Sequence, residues 1–323
     1  MKLKEAEAVC RDVQAKVFMA VHNGRPVNTF EPAAAANTAV RADGMVYMND
    51  ISYESKYPNG FLDIWYPDEN RNVQRPTVIH FHGGGFLFGD KISGDPLAEK
   101  SSGPQSFLEG IVKAGYNLVS ANYAFAPEYH FPVPIVQVDE VMDFLMKNKE
   151  KYGLDMDHVI LMGGSAGADM SAIYGGAVTN ADYAKALGLT PVLKKEQLLA
   201  LVINEAMLNV DDMSPNLLIL LQNWLGVDEP AGSEAARLMN AALWMTPDYI
   251  PSFVVSSNVE EDFVKYAIEL DEALEANGVR HELYYRDSSY DKLEHGFTDR
   301  YLENQYAREC YDRMLAFMAE SVY

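Results

Sequence analysis

Apolar positions first recur at helical spacing: Leu3, Ala6, Val9, Val13, Val17 and Ala20 predict an amphipathic helix over residues 3–22. The stretch EPAAAANTAVRADG that follows reads as a linker or a loosely helical patch. From about residue 46 the pattern changes to short apolar runs alternating with helical ones. Strands are predicted at 61–67, 77–82, 117–124, 158–163, 199–206, 252–258 and 281–287, with helices near 104–114, 134–152, 166–180 and 260–277. Such alternation implies an α/β fold, a mostly parallel sheet with helices on both faces. TVIHF, VILM and LALVI are almost uninterruptedly apolar, as interior strands of a parallel sheet must be. Residues 207–248 break the rhythm, being far longer than a βα connection needs. Within them LLILLQNWL reads as an apolar helix, either a lid over a binding site or a peripheral helix packed on the core.

Composition narrows the classes. The chain has 323 residues, 48% hydrophobic and 23% charged, enough to bury a sizeable core. A net charge of −21 argues against nucleic acid, an anionic membrane surface or a strongly anionic substrate as partner. Cys10 and Cys310 lie far apart without zinc-type spacing, which predicts reduced structural thiols. Glu5, Glu7 and Asp12 interrupt any signal-peptide core, and no run approaches the length of a membrane span. A soluble, cytoplasmic protein is expected, and a homodimer is compatible with this composition.

Two glycine-rich turns carry the candidate chemistry. HVILMGGSAGADMSA runs from strand through Gly163-Gly164-Ser165-Ala166-Gly167 into a helix, the context in which G-x-S-x-G marks a nucleophile elbow. The sharp turn lifts the Ser165 hydroxyl clear of the sheet and sets it at a helix N-terminus. HGGGF (82–86) follows the strand RPTVIHF, where glycines would let backbone N–H groups approach an oxyanion. Gly84 and Gly85, with Ala166, are the expected donors. A phosphate-binding P-loop would end in Gly-Lys-Ser/Thr, and a dinucleotide fingerprint would leave the serine elbow unexplained. The base should follow the serine in the chain, which leaves His281 and His295. His281 reads as a strand residue, whereas His295 lies in the loop sequence DKLEHGF. The acid should follow the strand SFVVSSN, with Glu260, Glu261 and Asp262 as candidates. His80 and His82 read as structural, Glu128 as bracing a turn. No metal site and no cofactor are expected.

With HGGGF, NYAFAPEYHFP, GGSAG and HGF in this order, residues 50–320 resemble the hormone-sensitive-lipase-like carboxylesterases and acetyl esterases of the α/β-hydrolase superfamily. The resemblance implies an α/β-hydrolase fold and cofactor-free hydrolysis of short to medium acyl esters of small molecules by a Ser-His-Asp triad. It places the acid on Asp262, with Glu261 as the alternative. It also implies a cap made of residues 1–45 and the insertion 207–248, over a catalytic domain of residues 46–323. Phe86, Phe88, Met207, Leu208, Trp224 and Trp244 are the candidate substrate contacts, each with core or lid packing as the alternative. Departures from the family pattern are Gly164 and Ala168 in the elbow, Ala124 or Phe125 in place of an arginine, and Ser257 or Asn258 in place of a glycine. Cleavage of C–N bonds by the same triad, as in an arylformamidase or peptidase, and ligand binding without catalysis are the rival readings.

Overall fold

A computed structural model of the chain describes residues 1–21, 26–98, 100–211 and 213–322. Its strands are β1 (Asn37–Val40), β2 (Val46–Ser52), β3 (Phe61–Tyr66), β4 (Pro76–Phe81), β5 (Asn117–Ala121), β6 (Asp155–Gly164), β7 (Leu198–Asn204), β8 (Ser252–Val255) and β9 (His281–Tyr284). Its helices are α1 (Leu3–Val21), α2 (Gly103–Lys113), α3 (Val133–Tyr152), α4 (Ala166–Thr179), α5 (Ala181–Ala186), α6 (Pro215–Leu225), α7 (Glu234–Met239), α8 (Glu261–Ala276) and α9 (Gln305–Val322). The strands form one sheet in the order β1-β2-β3-β5-β4-β6-β7-β8-β9. Pairing is antiparallel from β1 through β3 to β5 and parallel from β5 onward. The α/β-hydrolase architecture expected from the sequence is borne out.

Alternation along the central strands sorts the core into two layers. Ile79, Phe81, Val159, Leu161, Leu201 and Ile203 face a cluster that includes Val138 and Met142 of α3, Met170 and Ile173 of α4, and Phe263 and Leu270 of α8. Val78, Ile160, Met162, Ala200 and Val202 face the opposite cluster, with Phe107 and Ile111 of α2 and Met314 and Phe317 of α9. Both faces being covered explains why these strands lack polar alternation.

The structure differs from the sequence reading at the N-terminal edge. Residues 37–40, placed in the linker, pair with β2 and so extend the sheet before residue 46. NTAV is almost wholly exposed, so no buried face imprints a period on it, and only pairing makes it a strand.

The insertion does fold as helix at LLILLQNWL, within α6. Helix α1 packs against α6, where the Leu3 N–H donates to Asp228 at 2.7 Å and Gln222 Nε2 to the Met1 carbonyl at 2.9 Å. Gln14 of α1 donates to the carbonyls of Leu87 and Ala126, and Arg11 pairs with Glu128. Glu128 thus ties α1 down as well as sitting in its turn. Trp224 of α6, fully buried, stacks on Phe86 with ring centroids 3.6 Å apart and planes within 4°. This stack fastens α6 to the glycine loop. Trp224→Ala leaves a cavity there and should cost about 3–5 kcal/mol in urea-induced unfolding.

Candidate active site

The strained elbow is present. Ser165 stands between β6 and α4 with φ 53° and ψ −120°, a left-handed conformation costly for any residue but glycine. Its N–H donates to the Asn204 carbonyl at the end of β7 (2.8 Å). A Cβ at Gly167 would lie 1.9 Å from the Phe81 carbonyl oxygen, and one at Gly163 would lie 2.2 Å from the Gly167 carbonyl carbon. Bare backbone is therefore obligatory on both sides of the serine.

The glycine loop lies beside it. A Cβ at Gly83 would come within 3.4 Å of the Ser165 Cβ. Gly84 has φ 107°, and its carbonyl accepts from the Leu87 N–H (3.0 Å), which curls the loop back on itself. Gly85 faces Leu220 of α6. Among the described residues the N–H groups of Gly84, Gly85 and Ala166 have no hydrogen-bond acceptor. Behind the loop, Lys91 is buried with Asp50 (2.8 Å) and Asp63 (3.2 Å), and its N–H donates to Asn122 (2.5 Å). This pairing anchors the far end of the loop.

Ser165 and His295 line one cavity of about 480 Å³, together with Gly83, Gly84, Glu205 and Asp299. Phe88, Phe107, Leu108 and Met162 supply its apolar wall. His80 and His82 line it as well, yet both are occupied structurally. His80 Nδ1 lies 2.9 Å from Ser120 Oγ, and its burial lowers its pKa to about 3. His82 stacks on Tyr123 at 4.5 Å.

The carboxylate beside His295 is the residue the sequence reading missed. His295 Nδ1 lies 3.2 Å from Glu205 Oε2, and the same oxygen accepts from the Gly296 N–H at 2.7 Å. Phe263 stacks on the imidazole at 4.2 Å. Burial pushes the Glu205 carboxyl up to about 8, helped by the negative charges of Glu260 and Asp299, against N–H donation from Gly296 and Ser257. Burial also pushes the His295 imidazole down, opposed by the charge of Glu260. Asp299 is raised to about 6, again by burial.

Asp262, the expected acid, is not brought to His295. Helix α8 already begins at Glu261, so Asp262 sits in its first turn, and both its oxygens face the Ser214 N–H (3.3 and 3.2 Å). Glu261 is exposed beside a surface groove with Val259 and Lys265. Glu260 comes nearer, but its Oε1 meets the backbone N–H of His295 (3.4 Å) and not the ring. Glu205 had a faint sequence signal, an acidic residue directly after an apolar strand on the edge where the serine emerges.

Of the candidate substrate contacts, Phe88 alone lines the cavity. Phe86 and Trp224 are consumed by their mutual stack, and Met207 and Leu208 are buried in the core. Trp244 stacks on Tyr183 at 4.8 Å. Bulk and position, after the glycine loop for Phe86 and in or beside the insertion for the others, favoured them from the sequence, but core packing uses the same surfaces.

Comparison with known proteins decides the family. Residues 62–267 match the BD-FAE family model. The chain belongs to the BD-FAE family. The BD-FAE match spans β3 to α8 and includes both glycine turns. Among curated relatives, arylacetamide deacetylase of Oryctolagus cuniculus is 30% identical over 37% of this chain and 29% of its own. Esterase LipQ of Mycobacterium tuberculosis is 30% identical over 39% and 28%. The putative alpha/beta hydrolase R526 of Acanthamoeba polyphaga mimivirus is 31% identical over 49% and 44%. The chain spans less than half the length of these relatives. Among solved structures, esterase B of Lactobacillus rhamnosis superposes with TM-score 0.76 at 20% identity, covering 99% of this chain and 96% of the other. An esterase of Pyrobaculum calidifontis gives 0.63 at 16%, covering 100% and 94%. The resemblance to α/β-hydrolase esterases read from the motifs is borne out. No helix among the described residues is long and apolar enough to cross a membrane.

Proposed function

We propose that this protein hydrolyses carboxylic esters of short to medium acyl chains through an acyl-enzyme on Ser165. The observation that carries the reading is the strained Ser165 elbow sharing a cavity with His295, beside three N–H groups that lack an acceptor among the described residues. Nδ1 of His295 faces Glu205, which leaves Nε2 to take the hydroxyl proton as Ser165 Oγ attacks the ester carbonyl. Negative charge then develops on the carbonyl oxygen, where Gly84, Gly85 and Ala166 donate. Collapse expels the alcohol, which takes the proton from Nε2. Water then attacks the acyl-enzyme by the same route and regenerates Ser165. Helices α1 and α6, joined over the glycine loop, act as the cap.

The cavity volume suits modest acyl groups. Hydrolysis of p-nitrophenyl acetate, butyrate, octanoate and laurate tests this, with activity expected to fall at the long-chain end. Equal turnover of all four would remove the chain-length reading. Since arylacetamide deacetylases are among the relatives, an aryl acetamide belongs in the same series, with slower turnover expected than for the ester.

His295 must be neutral to act as base. Its pKa is depressed by burial, so kcat/KM should rise with pH through a step below the ordinary histidine value of about 6.5. An activity flat from pH 5 to 9 would count against His295 as base.

A further inference from the structure

We infer that Glu205, at the end of β7, is the residue that positions His295 and balances its charge, in place of a carboxylate following β8. The inference rests on the proposed role of His295 as base. Geometry favours it in three independent ways. Glu205 Oε2 is within reach of the ring nitrogen and, through the Gly296 N–H, holds the loop that carries the ring. Glu205 itself is rigidly presented: it is a non-glycine residue at φ 62°, and its N–H donates to the Val255 carbonyl at 3.0 Å. Its neighbour Asn204 accepts the Ser165 N–H. The carboxylate and the nucleophile are therefore registered through adjacent residues of one strand end.

The loop after β8 performs another task. Asn258 accepts from the Leu293 N–H (2.8 Å) and donates to the carbonyls of Arg286 and Asp291 (2.9 and 2.8 Å). Asn258 thus laces down the long SSYDKLEH segment. Asp262 meanwhile holds the insertion at Ser214. Neither is placed to orient an imidazole.

Glu205 lies among like charges. Glu260 ahead of α8 and Asp299 after the histidine loop both oppose its ionisation, and Cys310 of α9 feels its charge in turn. Buried among these charges, the carboxyl gives up its proton only near pH 8. An ionised Glu205 beside a neutral His295 is the competent pair. The rate should therefore show a second rise near pH 8, above the histidine step.

The experiment compares wild type with Glu205→Gln, Glu260→Gln and Asp262→Asn on p-nitrophenyl acetate from pH 5 to 9.5. Ser165→Ala serves as the blank. Glu205→Gln should lower kcat by about 10³–10⁴-fold with KM changed little, and the rise near pH 8 should vanish. Glu260→Gln and Asp262→Asn should stay within about tenfold of wild type. The pairing is also read without turnover, as a downfield proton resonance of His295 Nδ1–H that is present in wild type and absent in Glu205→Gln. A fully active Glu205→Gln overturns the inference, as does an Asp262→Asn or Glu260→Gln that alone abolishes both activity and resonance. Wild type no more active than the blank overturns the esterase reading, and the resonance then still decides the pairing.

Discussion

Replacing Ser165 by alanine should lower kcat/KM toward p-nitrophenyl acetate by about 10⁴–10⁶-fold. In the proposed reaction the hydroxyl oxygen forms the covalent bond, so nothing else in the cavity would compensate for it. The residual rate would come from the oxyanion donors and from binding alone. Alanine tolerates the elbow as poorly as serine does, and the Ser165 side chain makes no hydrogen bond among the described residues that would be lost. Stability should therefore change by less than about 1 kcal/mol in the same unfolding experiment. A Ser165→Ala protein that keeps a tenth of wild-type activity would remove Ser165 as nucleophile. A protein that loses activity only because it unfolds would be exposed by its melting curve.

Gly84→Ala should also slow the reaction, by a different route. The new Cβ would stand 1.9 Å from the Phe88 carbonyl oxygen at a backbone φ of 107°. Relief requires the loop to move, because the obstacle is backbone, not the end of a flexible side chain. Moving the loop shifts the Gly84 and Gly85 N–H groups away from the position of the developing oxyanion. Loss of one well-aimed donor costs about 10²–10³-fold in kcat, and that is the expected fall. KM should change far less, since these donors act chiefly in the transition state. Burst kinetics separate the outcomes: slower acylation at unchanged enzyme concentration supports the oxyanion role. An unchanged burst rate would show that the amides of this loop are not the donors.

The contacts of α6 with the glycine loop give these effects a structural setting. Leu220 and Trp224 of α6 press on Gly85 and Phe86, and Lys91 anchors the other end of the loop between Asp50 and Asp63. The proposed oxyanion donors are thus held from above by apolar packing and from behind by a buried ion cluster. Such rigid support is what preorganised electrostatic stabilisation requires.

How much of this was legible in the chain follows from the range of the interactions. The central strands are apolar on both faces because helices cover both, so β3 to β9 could be read from composition and period. The elbow and the glycine loop were legible for a related reason. Their constraints are local: a Cβ at Gly163 collides with Gly167, and one at Gly84 collides with Phe88. His295 followed from order along the chain. Sequence by itself thus determined the interior strands and located the proposed nucleophile, base and oxyanion loop.

Tertiary structure decided the rest. The edge strand β1 exists only through its pairing with β2. Which aromatics meet the cavity depended on how α6 settled, and Phe86 and Trp224 were spent on each other. The carboxylate at His295 is the clearest case. Glu205, Glu260, Glu261 and Asp262 all lie at strand ends or helix starts between the serine and His295, and only the expectation that the acid follows SFVVSSN favoured the last three. The choice falls to the path of the loop from β9 to α9, which lays Gly296 and the imidazole over the end of β7. Hydrogen bonds between residues some ninety positions apart leave no local signature, so no period or spacing could have announced them.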